Sequence, residues 1–209
     1  MESIGILGGT FNPPHRGHLA LASHAREELG LERVLLMPAR MPPHKTGADD
    51  PGPEHRLQMC RLLVGDREGL SASELELRRG GLSYTVDTLG EMHASHPGAE
   101  LTFIVGADTA LTLGSWREPA RILELCTLAV AGRPGSASGP VSQLLAQLAG
   151  PAAPAPVARF LALEPMDVSS SMARERAARG EDPSELTGRD VAGYISRHRL
   201  YGAPSEWAR

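Results

Sequence analysis

The sequence predicts an α/β fold: an open, mostly parallel sheet with helices on both faces and a C-terminal helical segment. Three observations lead there. The first thirty-eight residues read strand–helix–strand, the unit that lays two parallel strands side by side. Later apolar runs are of strand length and alternate with stretches of helical spacing. A glycine-rich turn joins the first strand to the first helix, and the Ala, Gly, Pro and Ser stretch at 136–156 does not look like a domain boundary. At 209 residues one domain, 1–209, is the default, with ample chain to bury a core.

Each element has its own signal. Ile4-Gly5-Ile6-Leu7 is too short for a buried helix and reads as the first strand. Leu19 to Leu29 has helical spacing and stops at Gly30, and Arg33 to Pro38 is the second strand. Residues 40–53 form a long loop dense in Pro and Gly, of the kind that carries function. Glu54 to Asp66 reads as a helix ended by Gly65, and Leu70 to Leu77 as a strand. Ser83 or Thr85 is placed to cap a helix carrying Leu89 and Met92. Leu101 to Val105 is the cleanest strand, and Leu125 to Ala131 another. The segment 136–156, rich in Ala, Gly, Pro and Ser, reads as a flexible connector around a short helix at 141–148. Val157 to Leu163 should be a strand. Serines 169 to 171 open a helix, and Gly188 to His198 is the final one.

Composition narrows the function. Net charge is −4 and no lysine-rich run occurs, which argues against a nucleic-acid surface. Nothing approaches the ~20 apolar residues of a membrane span, and no signal-like start is seen. Cys60 and Cys126 are far apart, without metal-like spacing, and read as buried thiols. A soluble cytoplasmic protein fits best, and the oligomeric state, homo-oligomer included, is left open.

The stretch from Gly8 to His18 (GGTFNPPHRGH) has the chemistry of a phosphate site. A helix start offers backbone N–H groups and the positive end of the helix dipole, and glycines let the chain come close to a ligand. It is neither a P-loop, since no Lys-Ser or Lys-Thr pair follows, nor the Gly-x-Gly-x-x-Gly dinucleotide fingerprint. His15 and His18, three apart, can face one group on a helix. As zinc ligands they lack a neighbouring Cys, Asp or Glu at ligand spacing. Asp108 follows the strand Leu101–Val105, where open parallel sheets place ligands, though it could equally cap the next helix. Arg133, after the strand ending at Ala131, could reach a phosphate or ribose.

That stretch resembles the Gly-Gly-Thr-Phe-x-Pro-x-His-x-Gly-His signature of the nucleotidyltransferase superfamily with a Rossmann-like fold. Asn12 stands where Asp is also common. Further matches follow in the family's order: Pro42-Pro43-His44-Lys45, the run Ser83-Tyr84-Thr85-Val86-Asp87-Thr88 after Glu76-Leu77-Arg78-Arg79, Gly106-Ala107-Asp108 with Trp116 beyond, and Arg133-Pro134-Gly135. Val168-Ser169-Ser170-Ser171 with Arg174 is similar to Ile-Ser-Ser-Thr-x-x-Arg, Ser171 keeping the hydroxyl of the usual Thr. Together these are similar to the bacterial nicotinate mononucleotide adenylyltransferases.

The resemblance implies transfer of the AMP moiety of ATP to nicotinate mononucleotide, giving nicotinate adenine dinucleotide (deamido-NAD) and pyrophosphate in NAD biosynthesis. It implies that ATP is held by Gly8, Gly9, Thr10, Phe11, His15, His18, Ser169, Ser170, Ser171 and Arg174, with His15, His18 and Arg174 catalytic. It assigns Asn12, His44, Lys45, Thr85, Asp108, Trp116 and Arg133 to the mononucleotide, and Mg²⁺ to the substrate phosphates. A phosphate monoester is already ionised at neutral pH, so direct in-line attack needs no strong base and no covalent intermediate. Nicotinamide mononucleotide, 4′-phosphopantetheine and a non-catalytic nucleotide sensor are the rivals.

Overall fold

The computed structural model describes residues 1–42, 49–132, 138–149, 158–164 and 166–207. Its strands are β1 (Ser3–Gly9), β2 (Arg33–Pro38), β3 (Leu70–Ala72), β4 (Glu100–Gly106), β5 (Thr127–Gly132) and β6 (Ala158–Ala162). The helices are α1 (Arg16–Leu29), α2 (Pro53–Val64), α3 (Leu75–Arg79), α4 (Thr85–Ser95), α5 (Ala107–Ala110), α6 (Pro119–Leu125), α7 (Ser138–Ala149), α8 (Ser170–Ala178), α9 (Ser184–Thr187) and α10 (Arg189–Arg197), with single 3₁₀ turns at Leu113–Ser115 and Leu200–Gly202.

The strands form one parallel sheet in the order β3-β2-β1-β4-β5-β6. Ile6 pairs with Leu35 on one side and Phe103 on the other, so β1 is central and buried on both faces. Alternate residues feed two cores. Ile4, Ile6, Phe103 and Val105 pack with Leu89 of α4, Ile122 of α6 and Leu145 of α7. Leu7 and Ile104 pack with Ala22 of α1, Cys60 of α2, Ala177 of α8 and Ile195 of α10. This is the period-two alternation of a sheet covered twice, and the architecture is Rossmann-like. The strand order reverses direction between β1 and β4, which opens a crevice at their carboxyl ends.

Sequence and structure agree on most boundaries and differ where propensity was ambiguous. Gly30 ends α1 in the left-handed region at φ 64°, which its missing Cβ makes cheap. The strand expected to Leu77 stops at Ala72, because Leu75 and the residues after it turn into α3. Neither Ser83 nor Thr85 caps α4; Tyr84 holds the N-cap position and Thr85 is the first helical residue. Gly106, not Asp108, is the N-cap of α5. Leu125 and Cys126 fall outside β5, since Leu125 closes α6, a helix the sequence reading omitted. Cys60 is buried as expected. Cys126 is only half-buried, its Sγ donating to the Ile122 carbonyl. Among the described residues no helix is long and apolar enough to cross a membrane.

Candidate active site

The turn between β1 and α1 is held by its own backbone before any ligand arrives. His15 is the N-cap of α1 and His18 its third residue. The His15 N–H donates to His18 Nδ1 at 3.1 Å. With Nδ1 accepting, the ring proton of neutral His18 belongs on Nε2. The two imidazoles lie against each other with centroids 3.7 Å apart, and Phe11 meets His18 edge-on at 4.8 Å. His15 Nδ1 is buried with no hydrogen-bond partner among the described residues, and burial pulls the ring's pKa down to about 4. His15 is therefore neutral at pH 7. Phe11 takes φ 52° with its ring almost fully buried, so packing holds a strained backbone at this corner.

The start of α8, from the far end of the sequence, docks on the same turn. Ser169 caps α8 by accepting from the Met172 N–H at 3.2 Å. Ser170 Oγ donates to the Pro13 carbonyl at 2.8 Å. Arg174 Nη1 donates to the Asn12 carbonyl at 2.8 Å, and its Nη2 to Ser171 Oγ at 3.3 Å. Close approach requires Gly17, where a Cβ would stand 3.0 Å from Val168 and 3.1 Å from the His15 ring. Two helix N-termini, α1 and α8, thus converge on one turn. Their dipoles and amide groups favour an anion there.

A cavity of about 400 Å³ opens beside this turn, at the carboxyl ends of β1 and β4. Gly8, Gly9, Thr10, Phe11, His18 and Ser170 line one side; Glu76, Ser83, Thr85, Thr88, Thr109 and Trp116 line the other. A neighbouring cavity of about 650 Å³ shares Thr10, Ser83, Thr85 and Trp116 with it, so the two form one cleft. Trp116 stands edge-on to Phe103 at 6.0 Å and donates its Nε1–H to Thr112 Oγ1 at 3.1 Å, which fixes the indole. Behind Thr85 lies a buried polar chain. Thr88 Oγ1 donates to Glu76 Oε1 at 2.6 Å and accepts from Arg79 Nη2 at 3.0 Å. Burial raises the Glu76 pKa, opposed by its hydrogen bonds and the nearby Arg79 charge.

Of the residues singled out in sequence, Gly8, Gly9, Thr10, Phe11, His18, Ser170, Thr85 and Trp116 line the cleft. His15, Ser169, Ser171 and Arg174 stand around the turn without lining it. Asn12 is engaged within the protein: its Oδ1 accepts from the Tyr201 hydroxyl at 2.7 Å and its Nδ2 donates to the Asp49 carbonyl at 3.4 Å. Asp108 is exposed on α5, outside both cavities. His44, Lys45 and Arg133 lie outside the described residues. The sequence reading missed Glu76, Arg56 and Tyr201. A charged residue on the apolar side of the helix 54–66 was the available signal for Arg56; the others gave none.

Fold and site together define a nucleotidyltransferase of the cytidylyltransferase-like class, whose family model matches residues 6–176. Two curated relatives are each named probable nicotinate-nucleotide adenylyltransferase. That of Pelobacter propionicus is 41% identical, covering 95% of this chain and 97% of its own. That of Symbiobacterium thermophilum is 40% identical, covering 96% of each. The chain belongs to the nicotinate-nucleotide adenylyltransferase family. Its fold is shared with Plasmodium falciparum nicotinic acid mononucleotide adenylyltransferase complexed with NaAD, at TM-score 0.80 and 17% identity, covering 99% of this chain and 100% of that one.

Proposed function

We propose that the chain joins ATP and nicotinate mononucleotide into nicotinate adenine dinucleotide and pyrophosphate, by in-line attack of the mononucleotide phosphate on the α-phosphorus. The observation that carries this reading is the convergence of the α1 and α8 N-termini on the turn that holds His15 and His18, beside a cleft walled by Thr85 and Trp116. Family membership supports the same reaction. In this reading catalysis is positioning plus charge stabilisation, with no covalent intermediate.

The chain's groups have distinct tasks. His18, its proton on Nε2, donates to the oxygens of the α-phosphate as charge develops there. His15 stacks behind it and holds its orientation. The first amides of α8, Ser170, Ser171 and Arg174 hold the β- and γ-phosphates, with the Gly8–Phe11 backbone assisting. The resemblance, rather than the geometry, gives His44 and Lys45 the task of neutralising the attacking phosphate and Arg133 a contact to ribose or phosphate. The amides at the start of α4 and Thr85 receive the nicotinate carboxylate, and Trp116 stacks on the pyridine ring. Asn12 serves the mononucleotide indirectly, by keeping the turn in shape. Among the described residues no group of three or more His, Cys, Asp or Glu could hold a metal ion. In this reading Mg²⁺ would be carried in on the triphosphate and would supply neutralisation of phosphate charge, with Asp108 an indirect helper. The whole chain acts as one catalytic unit in the cytoplasm.

The test is pyrophosphate release from ATP and Mg²⁺ with nicotinate or nicotinamide mononucleotide offered separately. Strong preference for the acid is expected. Equal use of both contradicts the carboxylate-binding role of Thr85 and the α4 N-terminus. No release with either contradicts the reaction.

A further inference from the structure

Among the described residues Arg56 is the largest side chain with no solvent exposure, yet it touches neither cavity of the cleft. A buried guanidinium is costly unless its charge and its donors are matched. Here they are. Nε donates to Asp50 Oδ1 at 2.9 Å, and Asp50 is itself oriented by accepting from the Gly52 N–H at 2.9 Å. Nη1 donates to two carbonyls, Thr10 at 2.8 Å and Ala39 at 2.6 Å, and Nη2 donates to the Arg40 carbonyl at 3.0 Å.

Those carbonyls belong to different lips of the cleft. Thr10 lies in the turn after β1, between Gly9 and His15. Ala39 and Arg40 follow β2, and Arg40 carries the link onward: its N–H donates to Ser83 Oγ at 2.9 Å and its Nη1 to the Leu77 carbonyl at 2.9 Å. Thr10, Ala39 and Ser83 all line the cleft. Beyond the final rung of the sheet, where the Ala39 N–H donates to the Gly9 carbonyl at 2.9 Å, the two lips share no strand pairing. There one rigid planar fork bridges them, joined only at the outer end by the Asn12 Nδ2 bond to the Asp49 carbonyl at 3.4 Å among the described residues.

We infer that Arg56 is a positioning residue that fixes the distance between the triphosphate lip and the mononucleotide lip, and so aligns the attacking oxygen with the α-phosphorus; this rests on the reaction proposed above. Each lip has supports of its own. Arg174, Ser170 and Tyr201 hold the turn, and the Thr88–Glu76 bond holds the start of α4. Loosening the fork should therefore leave each substrate's own binding in place and spoil their alignment.

The experiment is Arg56→Lys in the full chain. Lysine keeps the charge and loses the planar fork. Turnover should fall roughly 10- to 100-fold, as misplacement by about an ångström does. Binary dissociation constants for a non-hydrolysable ATP analogue and for nicotinate mononucleotide should each stay within about threefold of wild type, as expected when each lip keeps its own contacts. Turnover within twofold of wild type would overturn the inference. So would a loss of turnover matched by an equal loss of either affinity, since Arg56 would then shape one lip rather than the spacing. If Arg56→Lys does not fold, Asp50→Asn carries the test, with Arg56 present and its counter-charge removed. Threefold or greater loss of turnover at unchanged affinities supports the inference, and unchanged turnover overturns it. A wild-type chain that releases no pyrophosphate with either acceptor overturns the reaction itself, and the inference with it.

Discussion

The two sides of the cleft are built by different means. The proposed phosphate side is fixed by backbone: carbonyls of Thr10, Asn12 and Pro13 are each held by a side chain from elsewhere, and two helix N-termini aim at one spot. The proposed pyridine side is fixed by side chains at the ends of short elements. Trp116 follows a single 3₁₀ turn, Thr85 starts α4, and a buried Thr88–Glu76 hydrogen bond stands behind them. A triphosphate needs many donors in a constant arrangement, which backbone supplies whatever the side chains are. A ring and its carboxylate need one flat face and a few donors, which single residues can provide. The first side should therefore resist change and the second should tune.

Four tests sharpen or break that contrast, in falling order of expected effect. His18→Ala removes the donor proposed for the developing charge, so kcat should drop by about 10²- to 10³-fold. The overall fold should persist, since His18 belongs to neither buried core, while the His15 N–H loses its acceptor at the turn. Pyrophosphate release by protein with an unchanged far-ultraviolet spectrum checks this; full turnover would remove His18 from the mechanism. On the other side, Glu76→Ala removes the short Oε1 acceptor of Thr88 in a buried setting and leaves its hydroxyl the Tyr84 carbonyl at 3.2 Å. Denaturant unfolding should show a loss of about 1–3 kcal/mol. Glu76→Gln keeps an acceptor for Thr88 and should lose less.

The pH response separates the sides further. The folded pKa of His15 lies at about 4, below its unfolded value of 6.5. The unfolded chain thus binds a proton that the folded chain refuses. His15 contributes stability that is complete above pH 6.5 and lost as pH falls towards 4. Glu76 runs the other way: its folded pKa is raised, so its contribution is complete below the ordinary carboxylate value and lost as pH rises through the folded value. Melting temperature against pH should fall less steeply on the acid side in His15→Gln than in wild type. It should fall less steeply in Glu76→Gln as pH rises above the ordinary carboxylate value. Curves superimposable on wild type would contradict both environments.

How legible the molecule was in its sequence follows the same division. Residues 8–18 and 168–174 were legible as a strand-to-helix turn and a helix start, because glycines, a capping serine and helical spacing mark them; their proposed phosphate role came from the resemblance. β1, β2 and β4 were legible because their apolar runs are short, β-branched or glycine-bounded. The pairing of the two stretches required a fold, since Ser170 and Pro13 meet only because the chain after the edge strand β6 crosses back to the turn that follows the central strand β1. Short elements were not legible: α3 and α6 have too few turns to show a period, and Leu70 to Leu77 fits strand alternation as well as it fits a strand followed by a helix. Arg56 was hidden for another reason. Its partners are main-chain carbonyls, which leave no mark on side-chain identity at positions 10, 39 and 40.

The division of labour between the two sides is tested most directly by calorimetric binding of each substrate to Arg174→Ala and Trp116→Ala. A non-hydrolysable ATP analogue and nicotinate mononucleotide are titrated separately into each variant. Arg174→Ala should weaken the ATP analogue about tenfold or more, as loss of a charge-assisted contact does, and leave the mononucleotide within twofold. Trp116→Ala should weaken the mononucleotide by roughly 2- to 12-fold, as loss of an aromatic pair does, and leave the ATP analogue unchanged. The reverse pattern, or both ligands weakened equally by both substitutions, would contradict the account.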